Sequence, residues 1–89
     1  MKKIYRVILK PSASKDLEEI PVDFFLKADK TIFELGKNPR PFGVKKLDGL
    51  VHRTRVGRWR ILYAIFDKEE QIIVFRVRPR NEKTYKFFT

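Results

Sequence analysis

Two periodicities divide the chain. Between Pro21 and Gly36 the apolar residues Phe24, Phe25, Ala28, Ile32, Phe33 and Leu35 recur at helical spacing and form one broad stripe. Pro21 sits where the first turn of a helix tolerates a missing N–H, and Gly36 sits where a helix ends. Upstream, Ile4 to Leu9 carries β-formers and reads as a first strand. Pro11-Ser12-Ala13-Ser14 then opens a short polar helix through about Glu19, with Ser12 or Ser14 as its N-cap. Asn38-Pro39-Arg40-Pro41-Phe42-Gly43 is a loop, because two prolines deny it regular hydrogen bonding. After Lys46 the period becomes two. Val51–Val56, Arg58–Phe66 and Gln71–Arg78 predict three antiparallel strands, with tight turns at Gly57 and around Lys68-Glu69-Glu70. The order β-α-α-β-β-β predicts an α+β domain, with helices on one face of a small sheet. No repeat or linker divides the chain, so residues 1–89 read as one domain.

Side chains on a strand alternate between faces, and opposed residues on paired strands share a face. With Gly57-Arg58 as a two-residue turn, Val56 opposes Trp59, Arg55 opposes Arg60 and Arg53 opposes Leu62. With Lys68-Glu69-Glu70 as a three-residue turn, Asp67 opposes Gln71, Leu62 opposes Arg76 and Arg60 opposes Arg78. One face then carries Trp59, Ile61, Tyr63 and Ile65 against Ile73, Phe75 and Val77, and belongs under the helices. The other collects Arg53, Arg55, Arg60, Arg76 and Arg78, with Leu62, Ala64 and Val74 beyond them. A one-residue slip in either turn would put arginines under the helices.

Charge sharpens this picture. The formal net charge is +10, and it is segregated. Pro11 to Gly36 holds three basic and six acidic residues, whereas Lys37 to Arg60 holds eight basic residues and only Asp48 as an acid. From Gln71 onward five basic residues stand against Glu82, the last of them in a basic-aromatic tail from Asn81 to Thr89. Guanidinium groups crowded on one face repel one another unless an anion joins them. The planar fork of arginine suits phosphate, since it bonds two oxygens and stacks on bases. A nucleic-acid backbone, most readily RNA, or a strongly acidic protein fits such a face. The absence of cysteine excludes disulfides, thiolate metal sites and a cysteine nucleophile, and fits a reducing cytoplasm. No stretch approaches the roughly 20 apolar residues of a membrane span, and Arg6 and Lys10 interrupt the N-terminal run.

Several segments together resemble the RelE/ParE superfamily of bacterial and archaeal toxins. They are Tyr5-Arg6-Val7, Ala13 to Ile20 with Pro21, Asn38-Pro39-Arg40-Pro41, Lys45-Lys46-Leu47-Asp48-Gly49, Arg55-Val56-Gly57-Arg58-Trp59-Arg60-Ile61-Leu62-Tyr63, and Arg80 to Tyr85. The resemblance implies a four-stranded antiparallel sheet backed by the two N-terminal helices, and a cytoplasmic toxin restrained by an acidic, RelB-like antitoxin. RelE-type members cleave mRNA in the ribosomal A site without metal or cofactor. The 2′-hydroxyl attacks the adjacent phosphate and leaves a 2′,3′-cyclic phosphate. Carried over by position, the catalytic set is Arg53, Arg55, Arg60, Arg80 and Tyr85. Lys45, Lys46, Arg76, Arg78 and Lys83 are candidates for contacting the RNA.

The residue types suit the reaction. Preplaced guanidiniums stabilise the negative charge that grows on phosphoryl oxygens in the transition state. RelE-type members have lysines where this chain has Arg53 and Arg55. Arginine, with a pKa above about 12, is a poor proton acceptor. His52 has the intrinsic pKa of a general base, about 6.5. The register nevertheless places it opposite Tyr63 on the helix-packed face, where a structural role is expected. Two alternatives belong to the same superfamily: a ParE-like inhibitor of DNA gyrase, and a degenerate member that only binds RNA or an antitoxin.

Overall fold

A computed structural model describes residues 3–79. Strand β1 (Arg6–Leu9) is followed by helices α1 (Pro11–Glu19) and α2 (Val22–Leu35), then by β2 (Lys45–Asp48), β3 (Val51–Val56), β4 (Trp59–Phe66) and β5 (Gln71–Pro79). The strands form one sheet in the order β1-β5-β4-β3-β2. The α+β class and the order of the elements follow the sequence expectation, with two differences. A fifth strand, β2, pairs with β3, and β1 lies parallel to β5, so the sheet is mixed. Lys45-Lys46-Leu47-Asp48 has no run of β-formers, and its strand character comes from its pairing with β3. Three successive hairpins reverse the chain from β2 to β5, which leaves β5 running in the direction of β1.

Ala13 and Leu17 of α1, Ile20 just past its end, and Ala28, Ile32 and Leu35 of α2 pack on Val56, Ile61, Tyr63, Ile65, Ile72, Val74 and Val77 of the sheet. The β3–β4 register is the expected one throughout, from Val56 against Trp59 to Val51 against Ala64. The β4–β5 hairpin differs. Its turn holds four residues, Asp67 to Glu70, and Phe66 rather than Asp67 opposes Gln71. A bulge then inserts Phe75 between Val74, opposite Tyr63, and Arg76, opposite Leu62. The two single-residue offsets cancel, so the expected pairs Leu62–Arg76 and Arg60–Arg78 stand. In the first half of β5 the faces are exchanged. Ile72 and Val74 enter the core, whereas Ile73 and Phe75, expected there, are half-buried outside it.

Two glycines answer to close approach. At Gly57, φ is +58°, and a Cβ would stand 2.9 Å from Phe24 Cε1. Gly36 ends α2 with helical angles, so its glycine is required by space: a Cβ would stand 2.8 Å from the Tyr5 carbonyl oxygen. Neither serine caps α1. Lys10 holds the N-cap position with Pro11 as the first helical residue, and Ser12 Oγ instead donates to the Phe75 carbonyl at 2.6 Å.

That bond belongs to a larger arrangement. Strand β1 covers the edge of β5 only as far as Val74, and the Lys10 N–H closes the pairing on the Val74 carbonyl at 2.9 Å. Beyond it α1 runs along the open edge. Ser12 donates to Phe75, and Asp16 Oδ2 accepts the Val77 N–H at 2.9 Å. Side chains of a helix thus satisfy backbone groups that a longer β1 would have paired. No described helix is long and apolar enough to cross a membrane.

Candidate nucleic-acid interface

The face of the sheet turned away from the helices carries the arginines. Arg53 opposes Leu62 and Lys45, Arg55 opposes Arg60, and Arg60 opposes Arg78 across the next pair of strands. Arg76 completes the group opposite Leu62. Directly opposed side chains have Cβ atoms about 5 Å apart, so these guanidiniums share one patch of surface. Arg55 is exposed, Arg60, Arg76 and Arg78 are half-buried, and Arg53 is only 6% exposed. The buried Arg53 Nε has no hydrogen-bond partner among the described residues. A buried donor left in this way favours a ligand that brings an acceptor.

The patch is not free of acid. Asp16, buried on α1, reaches the sheet and accepts from Arg76 Nε at 2.9 Å and Arg76 Nη2 at 3.3 Å, with Arg78 Nη1 at 3.4 Å. One carboxylate therefore holds two of the five guanidiniums as well as the Val77 amide. Next to the arginines the same face continues as an apolar cleft of about 500 Å³, with Val51, Ala64, Phe66, Ile73 and Phe75 along it and Arg76 at the junction.

The register separates the two lysines of β2. Lys45 stands with Arg53 on the arginine face, whereas Lys46 opposes His52 and belongs to the other side. His52 lies where its register put it, stacked on Tyr63 with ring centroids 6.0 Å apart and 6% exposed. Its Nδ1 is 2.9 Å from the Leu50 carbonyl, which can only accept, so Nδ1 carries the proton. Arg80, Lys83 and Tyr85 lie outside the described residues.

A second polar cluster fastens the loop between α2 and β2 to the sheet. Tyr63, whose hydroxyl burial pushes up in pKa, donates to the Pro39 carbonyl at 2.7 Å. Arg40 forks onto Asp67 at 2.8 and 3.2 Å, and the Tyr5 hydroxyl donates to the same carboxylate at 2.6 Å. These donors, Arg40 first and Tyr5 second, hold the Asp67 carboxyl down at about 2. Sequence reading missed Asp16 and this cluster. A signal existed for Asp16: it falls with Ala13 and Leu17 on the buried stripe of α1, which Ile20 continues past the helix end, and there a carboxylate must find cations.

The arrangement can bind a polyanion and stabilise charge on phosphoryl oxygens. The arginines are donors throughout and cannot take a proton at neutral pH.

Known proteins share both sequence and fold. The model of the family described as ParE toxin of type II toxin-antitoxin system, parDE, matches residues 7–84. RelE1 of Methanocaldococcus jannaschii is 35% identical over 77 residues, covering 81% of this chain and 84% of its own. The archaeal RelE–RelB complex from Pyrococcus horikoshii aligns with a TM-score of 0.80 at 27% identity, over 92% of this chain and 99% of that one. The toxin-antitoxin complex RelBE2 of Mycobacterium tuberculosis has the same fold, with a TM-score of 0.79 at 24% identity over 92% and 98%. Sequence and fold agree that this chain belongs to the RelE/ParE superfamily of type II toxin–antitoxin toxins.

Proposed function

We propose that the protein is a ribosome-dependent endoribonuclease that cleaves mRNA in the ribosomal A site of the cytoplasm. The observation that carries this reading is the gathering of Arg53, Arg55, Arg60, Arg76 and Arg78 on one face of three neighbouring strands. In the reaction the 2′-oxygen loses its proton and bonds to the adjacent phosphorus while the bond to the 5′-oxygen breaks, leaving a 2′,3′-cyclic phosphate on one fragment and, once the 5′-oxygen takes up a proton, a 5′-hydroxyl on the other. Arg53, Arg55 and Arg60, with Arg80, stabilise the charge on the phosphoryl oxygens. Tyr85 stacks on the base or orients the 2′-hydroxyl. Lys45, Arg76, Arg78 and Lys83 hold flanking phosphates, while Lys46 faces the other side and takes no part. The proton leaving the 2′-hydroxyl goes to a group other than these arginines.

An antitoxin restrains this activity. The P. horikoshii relative was solved with RelB and the M. tuberculosis neighbour as a toxin–antitoxin complex. An acidic segment suits the arginine face, and apolar anchors suit the exposed Val22, Leu26 and Phe33 of α2.

Expression in a bacterial host with mapping of mRNA 5′ ends tests the reading. Codon-phased cuts are expected, and Arg60→Ala should lose about 10²–10³ in cleavage rate. Toxicity without such cuts, or full activity of Arg60→Ala, would sink it. The ParE description of the matching family model favours a second reading, inhibition of DNA gyrase. A supercoiling assay with purified protein separates the two.

A further inference from the structure

Asp16 is a buried carboxylate in a chain of net charge +10. The helical period of α1 gives its position to the core, and a neutral acceptor would be enough for the Val77 amide. The carboxylate does more. It engages both Nε and Nη2 of Arg76, leaving Nη1 outside the pair, and it draws Arg78 Nη1 to the same side. Long arginine stems lose their freedom when the guanidinium is held at two points. We propose that Asp16 is a positioning residue of the arginine face, fixing where Arg76 and Arg78 stand against a bound RNA phosphate. The proposal rests on the RNA reading given above.

Its signature comes from two effects of opposite sign. The Asp16 charge repels RNA, so neutralising it raises the net charge by one and strengthens long-range attraction. The same change removes the carboxylate that holds Arg76 at two points and reaches Arg78. A positioning carboxylate therefore separates affinity from turnover, whereas a carboxylate needed only for folding changes activity in step with the folded fraction.

The test compares Asp16→Asn with Ser12→Ala, which removes the neighbouring bond on the β5 edge and leaves the arginines alone. Ribosome-dependent cleavage is measured per folded molecule, alongside Nε–H exchange of Arg76 and its NMR shift on addition of inorganic phosphate. Asp16→Asn should lower kcat about 10–100-fold with KM unchanged or lower, while Ser12→Ala cleaves at the wild-type rate. In the wild-type protein the Arg76 Nε–H should exchange far more slowly than that of exposed Arg58.

Wild-type kcat in folded Asp16→Asn overturns the proposal, as does loss of activity in both variants in proportion to stability. Fast exchange at Arg76 in the wild type overturns it as well. Should Asp16→Asn not fold, Asp16→Glu retains the charge and displaces it by one methylene. Reduced kcat then supports positioning, and wild-type kcat refutes it. If the wild type does not cut RNA, the cleavage reading fails by itself. The phosphate titration then decides for Asp16, with support from an Arg76 shift seen only with Asp16 intact, and refutation from equal shifts in both proteins.

Discussion

Asp16 and Asp67 are each gripped by an arginine fork, and they differ in everything around the fork. Asp67 has the better geometry: two Arg40 bonds at 2.8 and 3.2 Å and a phenol at 2.6 Å. Yet its side chain is 53% exposed and that of Arg40 49%, so water and salt screen the pair. Asp16 makes longer bonds, but its side chain is only 7% exposed, and it also carries a backbone amide at the open edge of β5. The strength of an ion pair as drawn and its weight in the fold are separate matters. Burial sets the weight, because removing one partner of a buried pair strands the others away from water.

The largest effect should come from breaking the buried site. Asp16→Ala is expected to cost about 3 kcal/mol in urea denaturation, since it removes the buried carboxylate that accepts from Arg76, Arg78 and the Val77 amide. A loss below about 1 kcal/mol would place Asp16 in the class of exposed pairs. Tyr63→Phe should come next, at about 1 kcal/mol, through the lost bond to the Pro39 carbonyl. That residue adjoins Arg40, so the variant asks whether a buried neutral bond or an exposed ion pair fastens the loop.

Arg40→Ala should shift Tm less than Tyr63→Phe, and the shift should vanish in high salt. A salt-independent shift would show that the pair is better shielded than its exposure implies. The smallest effect is a pH dependence. The Asp67 carboxyl lies near 2 when folded, against an ordinary value of 3.8. Its stabilising contribution is thus complete above about pH 4 and is lost as pH falls toward 2. The difference in Tm between wild type and Asp67→Asn should therefore shrink over that interval, and a constant difference would remove the linkage.

Legibility in the sequence followed the same division. The α2 stripe and the β3–β4 hairpin could be read because local period and a two-residue glycine turn determine them. The five-arginine face could be read because misregister would bury charge. Strand β2 could not, since Lys45–Asp48 is a strand only by virtue of its partner. Gly36 was placed correctly at the end of α2, but the reason, Tyr5 pressing on it, is a long-range contact. Asp16 escaped because the charge on the face was counted from the strands alone, while its counter-charge arrives from a helix. His52 illustrates the opposite case: two residues of register, without any tertiary knowledge, were enough to put it against Tyr63.

The β4–β5 hairpin behaves like a message carrying two compensating frameshifts. The fourth turn residue moves the frame by one and Phe75 restores it, so residues 71–74 are read in one phase and 76–78 in the other. A strand of unbroken alternation could not direct Ile72, Val74 and Val77 into the core while presenting Arg76 and Arg78 outward. Shortening the turn alone would shift the phase of the whole strand, and removing Phe75 alone would exchange the faces of its arginine half. Engineering of this hairpin must therefore treat Asp67–Glu70 and Phe75 as a single unit, changed together or left alone.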